Sequence, residues 1–301
     1  MASITTTAIR NLLYPGLKTV FGAYEQYPAQ WKRIYTTYHS DKAVELDVET
    51  KQLGLGQIRA EGAPTAVDTM GQRFVTTYIH RFVGLSFVIT QQAMEDNLYE
   101  SQFPQQTKSL YDSLNQSKEV LGAALLNNGF NVNYPIGDGQ PVFSINHPID
   151  TGVVANTPTV PTQLNEQAIE SAISTIQQFQ DQAGLIVKTR PMELIVPNQL
   201  QFTADRLLYS NFRPGTANND IGVIPHMNLI PQGASVNQFL TSQTAWFIKT
   251  DASNGFKHFQ RTPIKVDFYT DFSTDNLLCK AVERYSFGIS NFRATYGSPG
   301  A

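Results

Sequence analysis

The sequence contains little charge and a single cysteine. Charged residues make up 16% of its 301 positions, against roughly 25% in a typical globular chain. The lone Cys279 excludes an intrachain disulfide framework, and its neighbours Leu277 and Leu278 predict a small core residue rather than a nucleophile. No apolar run approaches the ~20 residues of a membrane helix, and the N-terminus lacks the order of a signal peptide. We therefore expect a soluble cytosolic chain without membrane contact.

The net charge of −3 does not require nucleic acid as a tight partner. Its distribution is uneven, because residues 1–33 carry a net charge of +3 and residues 34–70 a net charge of −3. Adjacent segments of opposite sign could pair between subunits, or the imbalance could arise by chance in short windows. The sequence leaves both interpretations open.

Motifs for catalysis, metal binding and cofactor binding are missing. We find no phosphate loop, no zinc-protease helix motif and no nucleophile elbow, and the five histidines stand singly. Residues 54–56 begin like a dinucleotide fingerprint, but Arg59 follows where a third small residue is needed. Asp267, Asp271 and Asp275 could form an acid/base cluster, although their surroundings favour a turn. We predict no catalytic residue, no metal and no cofactor.

The first third of the chain is predicted to be aromatic-rich and then β-structured. Residues 1–40 contain Trp31 and many tyrosines without a periodic element, so these rings need a surface on the same chain or on a neighbour. Val44, Leu46 and Val48 alternate with acidic residues, which is the signature of a half-buried strand. A glycine-rich tip and the β-prone run 74–90 complete a long hairpin. Because a two-stranded hairpin is marginal alone, something must lie under it.

A long helix and a long loop are predicted next. Leucines at spacings of four and seven favour a helix over residues 105–127: Leu110, Leu114, Leu121 and Leu125. We expect Pro104 to break or kink the chain before it. Residues 129–162 form a loop rich in proline, glycine and asparagine. A loop of this length usually has a function or lies on a partner.

A second unit follows. Asn165 can cap a helix that ends near Gly184, and the segment 192–196 predicts a strand with a further helix from Pro197. Short strands are predicted around residues 223–231 and 245–250. Asn254–Gly255 predicts a tight turn, and from residue 261 the alternation predicts a return to strands.

Three groups of residues resemble tailed-phage major capsid proteins. The first is the C-terminal run 283–288 with Arg293, residues 296–298 and Gly300. The second, residues 139–144 with His147 and Pro148, is similar to a loop of the phage Mu-like major head subunits. The third comprises residues 194–197 with Leu200, Ala204, Leu207 and Leu208, and it looks like a strand–helix pair of that family's axial domain.

The resemblance implies the α+β Hong Kong 97 capsid fold and a division of the chain. The expected parts are an N-terminal arm (1–42), an extended loop (43–90), a peripheral domain with a spine helix (91–162), an axial domain (163–250) and the return strands with the C-terminal tail (251–301). Residues near 210–222 would point to the five- and six-fold axes.

The resemblance also implies a function. The chain is expected to be a major capsid protein, assembled in the host cytoplasm into pentamers and hexamers of an icosahedral virion shell around double-stranded DNA. Expected partners are sister copies, a separate scaffolding protein, a portal, a possible decoration protein and DNA contacted non-specifically. The family's cross-linked members need an extended-loop lysine, and because only Lys51 lies in this loop, near its base, we predict no cross-links.

Four residues are candidates for contact between subunits: Trp31, Arg59, Glu61 and Arg73. The alternative for the charged residues is a solvated hairpin surface, and for Trp31 it is an anchor within the chain. Two other functions stay open on the residues alone. One is a soluble enzyme that uses His147 and Asp138 in the 129–162 loop. The other is a different virion part, such as a tail tube or decoration protein, and a tube protein should lack the long helix.

Overall fold

The computed structural model describes residues 29–95, 99–212 and 221–301. The first 28 residues, which form most of the predicted N-terminal arm, lie outside the described residues. So does most of the loop predicted to point to the symmetry axes, since residues 213–220 are not described. Both predictions therefore stay predictions.

The secondary structure is mixed. The described helices are α1 (Trp31–Ile34), α2 (Gln91–Glu95), α3 (Tyr99–Asn127), α4 (Glu166–Gln177), α5 (Gln201–Tyr209) and α6 (Val223–His226), with 3-10 turns at Asn198–Leu200 and Phe292–Ala294. The described strands are β1 (Thr36–His39), β2 (Val44–Lys51), β3 (Gly71–Ile79), β4 (Arg81–Ile89), β5 (His147–Ile149), β6 (Gly152–Val154), β7 (Pro191–Val196), β8 (Ala234–Val236), β9 (Trp246–Thr250), β10 (Phe256–Thr270), β11 (Leu277–Ile289) and β12 (Thr295–Ser298). None of the described helices is both long and apolar enough to cross a bilayer.

Two four-stranded sheets organise the chain. The first has the order β1-β10-β11-β4 and the second the order β12-β9-β7-β8. β1 runs parallel to β10, and β7 runs parallel to β8, while the other pairs are antiparallel. Strands β2 and β3 form a separate hairpin, as do β5 and β6. The return of the chain from the second sheet to β10 places distant segments side by side in the first sheet.

The long helix α3 packs on the first sheet. Leu110 and Leu114 are buried against Phe268 and Cys279, which confirms half of the predicted apolar face. Farther along, Leu121 is only half-buried while Leu126 is buried. An α-helix has 3.6 residues per turn, so residues seven positions apart do not lie directly above one another. The buried side of the helix therefore shifts gradually around its axis along the sequence.

Of the predicted break or kink at Pro104, the break is wrong and the kink stays a prediction. Helix α3 begins at Tyr99 and continues through Pro104. A proline near the start of a helix removes only one backbone hydrogen bond, and the packing of the following turns outweighs that loss.

The second sheet is covered by α4. The apolar face of this helix, including Ile169 and Ile176, packs on Leu194 and Ile248 of the sheet. The Asn165 side chain accepts a hydrogen bond of 2.8 Å from the Ala168 N–H, so the predicted cap is confirmed. The helix ends at Gln177 rather than near Gly184.

The predicted strand over residues 223–231 is also wrong. The chain forms the single helical turn α6 there, and the next strand is β8. Pro225 explains the difference, because it cannot donate to a strand ladder but fits the first turn of a helix. The tight turn at Asn254–Gly255 is confirmed, with Asn254 at a φ of 56°.

Candidate inter-subunit surface

The predicted 43–90 hairpin divides at His80. Its first part is a true hairpin of β2 and β3, whereas β4 leaves it and pairs with β11 in the first sheet. His80 is buried at this junction, with its two ring nitrogens 3.2 Å from the Ser40 Oγ and 3.1 Å from the Ser286 Oγ. We call the paired part, β2 and β3, the stem and residues 52–70 the tip.

The inner face of the stem is acidic and is bound to the body of its own chain by ion pairs. Asp47 pairs with Lys257 of β10. Glu49 accepts a 2.9 Å hydrogen bond from Nη1 of Arg293, whose side chain is only 4% exposed. A charge buried to this degree is stable only when it is paired. These contacts therefore hold the stem against β10 and the 3-10 turn at Phe292–Ala294.

A second ionic contact lies at the end of the stem that adjoins the tip. Asp150, in the β5–β6 turn, receives Lys51 Nζ at 3.0 Å and Arg73 Nη2 at 2.8 Å. Arg73 also donates a hydrogen bond of 3.4 Å to the Gln182 side chain. One carboxylate thus fixes both strands of the stem. Sequence reasoning missed Asp150, because nothing local to it points to a hairpin a hundred residues away.

The outer face of the stem is apolar and exposed to solvent. Its side chains are 37% to 67% exposed, and they are Val44, Leu46, Val48, Val75 and Ile79. The period of two was predicted correctly, but in the isolated chain the acidic residues face the body and the apolar residues face outward. This inversion leaves the apolar face of the stem exposed among the described residues.

The tip carries a second group of exposed apolar side chains. They are 50% to 104% exposed, and they are Leu53, Leu55, Ile58, Val67 and Met70. The tip forms no regular helix or strand, but Gly54 donates a 2.8 Å hydrogen bond to Asp68 across its base. This bond and a second one from the Thr69 N–H hold the pKa of Asp68 below its usual value. The tip is therefore tied together at its base.

The four predicted contact residues fall in three places. Arg59 and Glu61 are exposed on the tip, where Arg59 donates a 3.1 Å hydrogen bond to Thr65. Arg73 lies in the stem and is bonded to its own chain. Trp31 is buried, with 6% exposure. The structure brings the first two together and separates them from the others, and their contact with a neighbour stays a prediction.

Trp31 anchors the short helix α1 on α3 in the isolated chain. Its backbone N–H donates a 3.0 Å hydrogen bond to Glu119, and burial raises the pKa of that carboxyl above its usual value. A Cβ added at Gly122 would lie only 3.0 Å from the Trp31 Cβ, so the glycine leaves room for the indole. In the isolated chain, Trp31 therefore acts as an anchor within its own chain.

The Trp31 ring also packs on His258, with 4.4 Å between centroids. Burial, reinforced by the charge of Lys118, lowers the pKa of His258 to about 3. An unfolded histidine has a pKa near 6.5, so between about pH 6.5 and 3 the unfolded chain binds a proton that the folded chain does not. Stability due to this group therefore falls as the pH falls through that window.

We expect the unassembled subunit to lose about 2 kcal/mol at His258 between pH 7 and about pH 4.5. The comparison is with His258→Phe, which keeps an aromatic ring and removes the titrating nitrogens. The substitution loses the 3.4 Å contact of Nδ1 with Thr37 Oγ1 at both pH values, while the buried Nε2 has no partner among the described residues. Urea unfolding of both proteins at the two pH values measures the difference. Equal losses in the two proteins would show that His258 does not titrate as described.

The pair proposed for the alternative enzyme is present but enclosed. His147 Nδ1 lies 2.6 Å from Asp138 Oδ2, and the two side chains are 0% and 4% exposed. The imidazole stacks on Phe292 at 4.0 Å, and its Nε2 lies 3.1 Å from Asn156 Oδ1. A substrate cannot reach these groups. They fasten the 129–162 loop to the C-terminal segment.

The remaining candidates are structural. Asp271 accepts hydrogen bonds from Ser273 and Thr274 within the β10–β11 turn, which confirms the turn interpretation. Cys279 is fully buried, and burial raises the pKa of its thiol to about 12, as expected for a core residue. Within the described ranges, no three His, Cys, Asp or Glu side chains are grouped so as to hold a metal ion.

Comparison with known proteins identifies the family of the chain. Residues 74–298, about three quarters of the chain, match the family model described as phage capsid protein. The chain therefore belongs to the phage capsid protein family. No curated protein sequence matches it significantly.

Solved structures agree with the family. The capsid of a native GTA particle is similar with a TM-score of 0.61 and 12% identity, over 91% of this chain and 90% of that chain. The virus-like particle from Pyrococcus furiosus gives a TM-score of 0.54 at 9% identity, over 95% and 99%. The procapsid of bacteriophage JBD30 gives 0.53 at 14% identity, over 98% and 76%. At these identities the likeness concerns the fold, and it confirms the α+β Hong Kong 97 type.

Family and fold together confirm the predicted function. The protein is a major capsid protein that forms an icosahedral shell, it is located in the virion, and it associates with copies of itself. It is a structural protein. A tail-tube protein is expected to lack a long helix, so the 29-residue α3 does not fit that alternative.

Proposed function

We propose that the subunits join head-to-tail into pentamers and hexamers, and that the stem and tip of each copy lie on a neighbour. The observation that carries this proposal is the inverted stem. Its charged face is satisfied by its own chain, while its apolar face and the apolar tip remain exposed. An exposed apolar patch of this kind usually marks an interaction site. Head-to-tail contacts close into rings when the rotation between copies permits.

We further propose the division of the chain into structural parts that the sequence resemblance implies. Residues 1–42 form an arm, 43–90 contain the extended loop, 91–162 and 251–301 form the peripheral domain, and 163–250 form the axial domain. The first sheet with α3 and the second sheet with α4 support two such units. The start of β4 at Arg81 supports a shorter loop than 43–90, ending near His80.

The finer identity and the partners are also proposals. The Mu-like group is supported by the motifs at residues 139–144 and 194–197 alone. A separate scaffolding protein, a portal, a possible decoration protein, assembly in the host cytoplasm and non-specific contact with packaged DNA follow from the resemblance. The net charge of −3 favours only weak DNA contact. We propose that the protein works without catalysis or cofactor.

Electron microscopy and a denaturing gel of the same purified sample test the proposed assembly and the absence of covalent cross-links together. We expect closed icosahedral shells built of pentamers and hexamers, which dissociate on the gel to a single monomer band. Lys51 supports the absence of covalent cross-links, because it is engaged with Asp150 where the stem meets the tip. Open tubes or discrete small oligomers would contradict the proposed assembly. A ladder of covalent oligomers would contradict the absence of cross-links.

A further inference from the structure

We propose that the tip of one copy packs on the outer face of the stem of the next copy, so that successive hairpins overlap. This inference rests on the proposed function and names the surface on which the loop docks. The receptor is the row of outward-facing apolar side chains on β2 and β3. The ligand is the group of exposed apolar side chains on residues 52–70.

The outer face of the stem is built as a continuous apolar ribbon. Three consecutive cross-strand pairs point outward, and they are Val44 with Ile79, Leu46 with Thr77 and Val48 with Val75. No charged side chain interrupts these pairs, since the charges of β2 point inward. At ~3.3 Å per residue the ribbon is about 13 Å long and two strands wide. Such a surface can be buried without removing an ion from water.

The ribbon leads into a cleft that gives it depth. Ile79 and Thr77 line both the ribbon and a cavity of about 460 Å³ at the end of β3. Leu121 and Leu125 of α3 form another wall, and Tyr134 lies at its margin with 57% exposure. The space accommodates a large apolar side chain, and we assign it to an aliphatic residue of the incoming tip.

The tip has the chemistry and the shape for this surface. Ile58 and Val67 are 104% and 92% exposed, so nothing in the part of the chain that the structure describes covers them. The bonds Gly54 to Asp68 and Arg59 to Thr65 already restrict the tip, which lowers the entropy lost on docking.

The occupant is a second copy because the tip cannot cover its own stem. The paired strands extend from residue 44 to residue 79, and the tip continues from their far end. To reach the ribbon of the same chain, the tip would have to fold back and break that pairing. A sister molecule is supplied by the shell itself. Because every copy presents both a tip and a ribbon, the contact is head-to-tail and serves closed rings.

Chemical cross-linking between singly substituted chains tests the assignment. Ile58→Cys places a thiol on the tip, Leu46→Cys places one on the ribbon, and Phe82→Cys places one on the open face of the first sheet, where Phe82 is 72% exposed. The native Cys279 is buried and does not compete. Variants are mixed in pairs, allowed to assemble, checked for shells by microscopy and treated with a short bismaleimide.

We expect a covalent dimer from Ile58→Cys with Leu46→Cys, at least tenfold more abundant than from Ile58→Cys with Phe82→Cys. Dominant coupling to Phe82→Cys would overturn the ribbon as receptor and leave the proposed function intact, since the tip would still lie on a neighbour. Dominant homodimers of Leu46→Cys alone would also overturn the ribbon as the receptor of the tip, because the ribbons of two copies would then face each other. Intact shells without any tip cross-link would remove both the inference and the proposed lacing.

Discussion

Deletion of residues 54–71 is expected to leave a folded, soluble subunit that forms no shells. The deletion removes four of the five exposed apolar side chains of the tip and keeps nearly all of the stem, with its ion pairs to Lys257, Arg293 and Asp150. Burying an aliphatic side chain contributes roughly 1.5–3 kcal/mol. Even partial burial of the four gives several kcal/mol per loop, which corresponds to about three orders of magnitude in affinity. Size-exclusion chromatography and electron microscopy measure the loss.

A pair of point variants makes the same test without shortening the chain. Ile58→Asp places a charge on an apolar contact residue, whereas Gln57→Asp places the same charge on its neighbour in the tip. We expect shells from the Gln57→Asp protein and free subunits from the Ile58→Asp protein. Shells from the deletion protein in normal yield would show that the loop does not lace the subunits.

Substitution of Asn156 by alanine is expected to destabilise the subunit by about 3–4 kcal/mol. The Asn156 amide oxygen accepts from the Ser144 N–H at 2.9 Å and lies 3.1 Å from His147 Nε2. Its amide nitrogen donates to the carbonyl oxygens of Val142 at 2.7 Å and Phe292 at 3.2 Å. Alanine leaves these buried groups unpaired, and each unpaired group costs about 1–3 kcal/mol. The loss is a large part of a typical total stability of roughly 5–15 kcal/mol.

Asn146 provides the matched control, because it is the same residue type in the same loop but is exposed. Asn146→Ala should change stability by less than about 0.5 kcal/mol. Urea unfolding of the unassembled subunit, with an unchanged slope, compares the two variants. Similar midpoints for both would mean that the Asn156 network does not hold the loop to the C-terminal segment.

Local signals in the sequence predicted much of the fold. The Asn165 cap, the Asn254 turn and the Asp271 turn depend on one or two side chains and their nearest backbone groups, so the sequence carries them directly. The early half of α3 was also predicted, since Leu110 and Leu114 recur at helical spacing. Fold class and function followed from the resemblance of short motifs.

Long-range choices could not be predicted. The alternation in β2 predicts two faces but does not say which one the body covers, and the answer depends on Lys257 and Arg293, more than two hundred residues away. Likewise, the run 74–90 is uniformly β-prone, and only the pairing of β4 with β11 divides it at His80. His147 and Asp138 were correctly placed in one loop, but their burial depends on Phe292 from the other end of the chain.

Amide hydrogen exchange of residues 44–79 in the free subunit and in the assembled shell tests the central claim most directly. The tip, residues 52–70, should exchange rapidly in the dilute free subunit, because it forms no regular helix or strand, and it should become strongly protected in the shell, where a sister copy covers it. The stem serves as the internal reference, since its ladder and ion pairs are already formed in the free subunit. Strong protection of the tip already in the free subunit would contradict the account, because the chain would then cover the tip by itself.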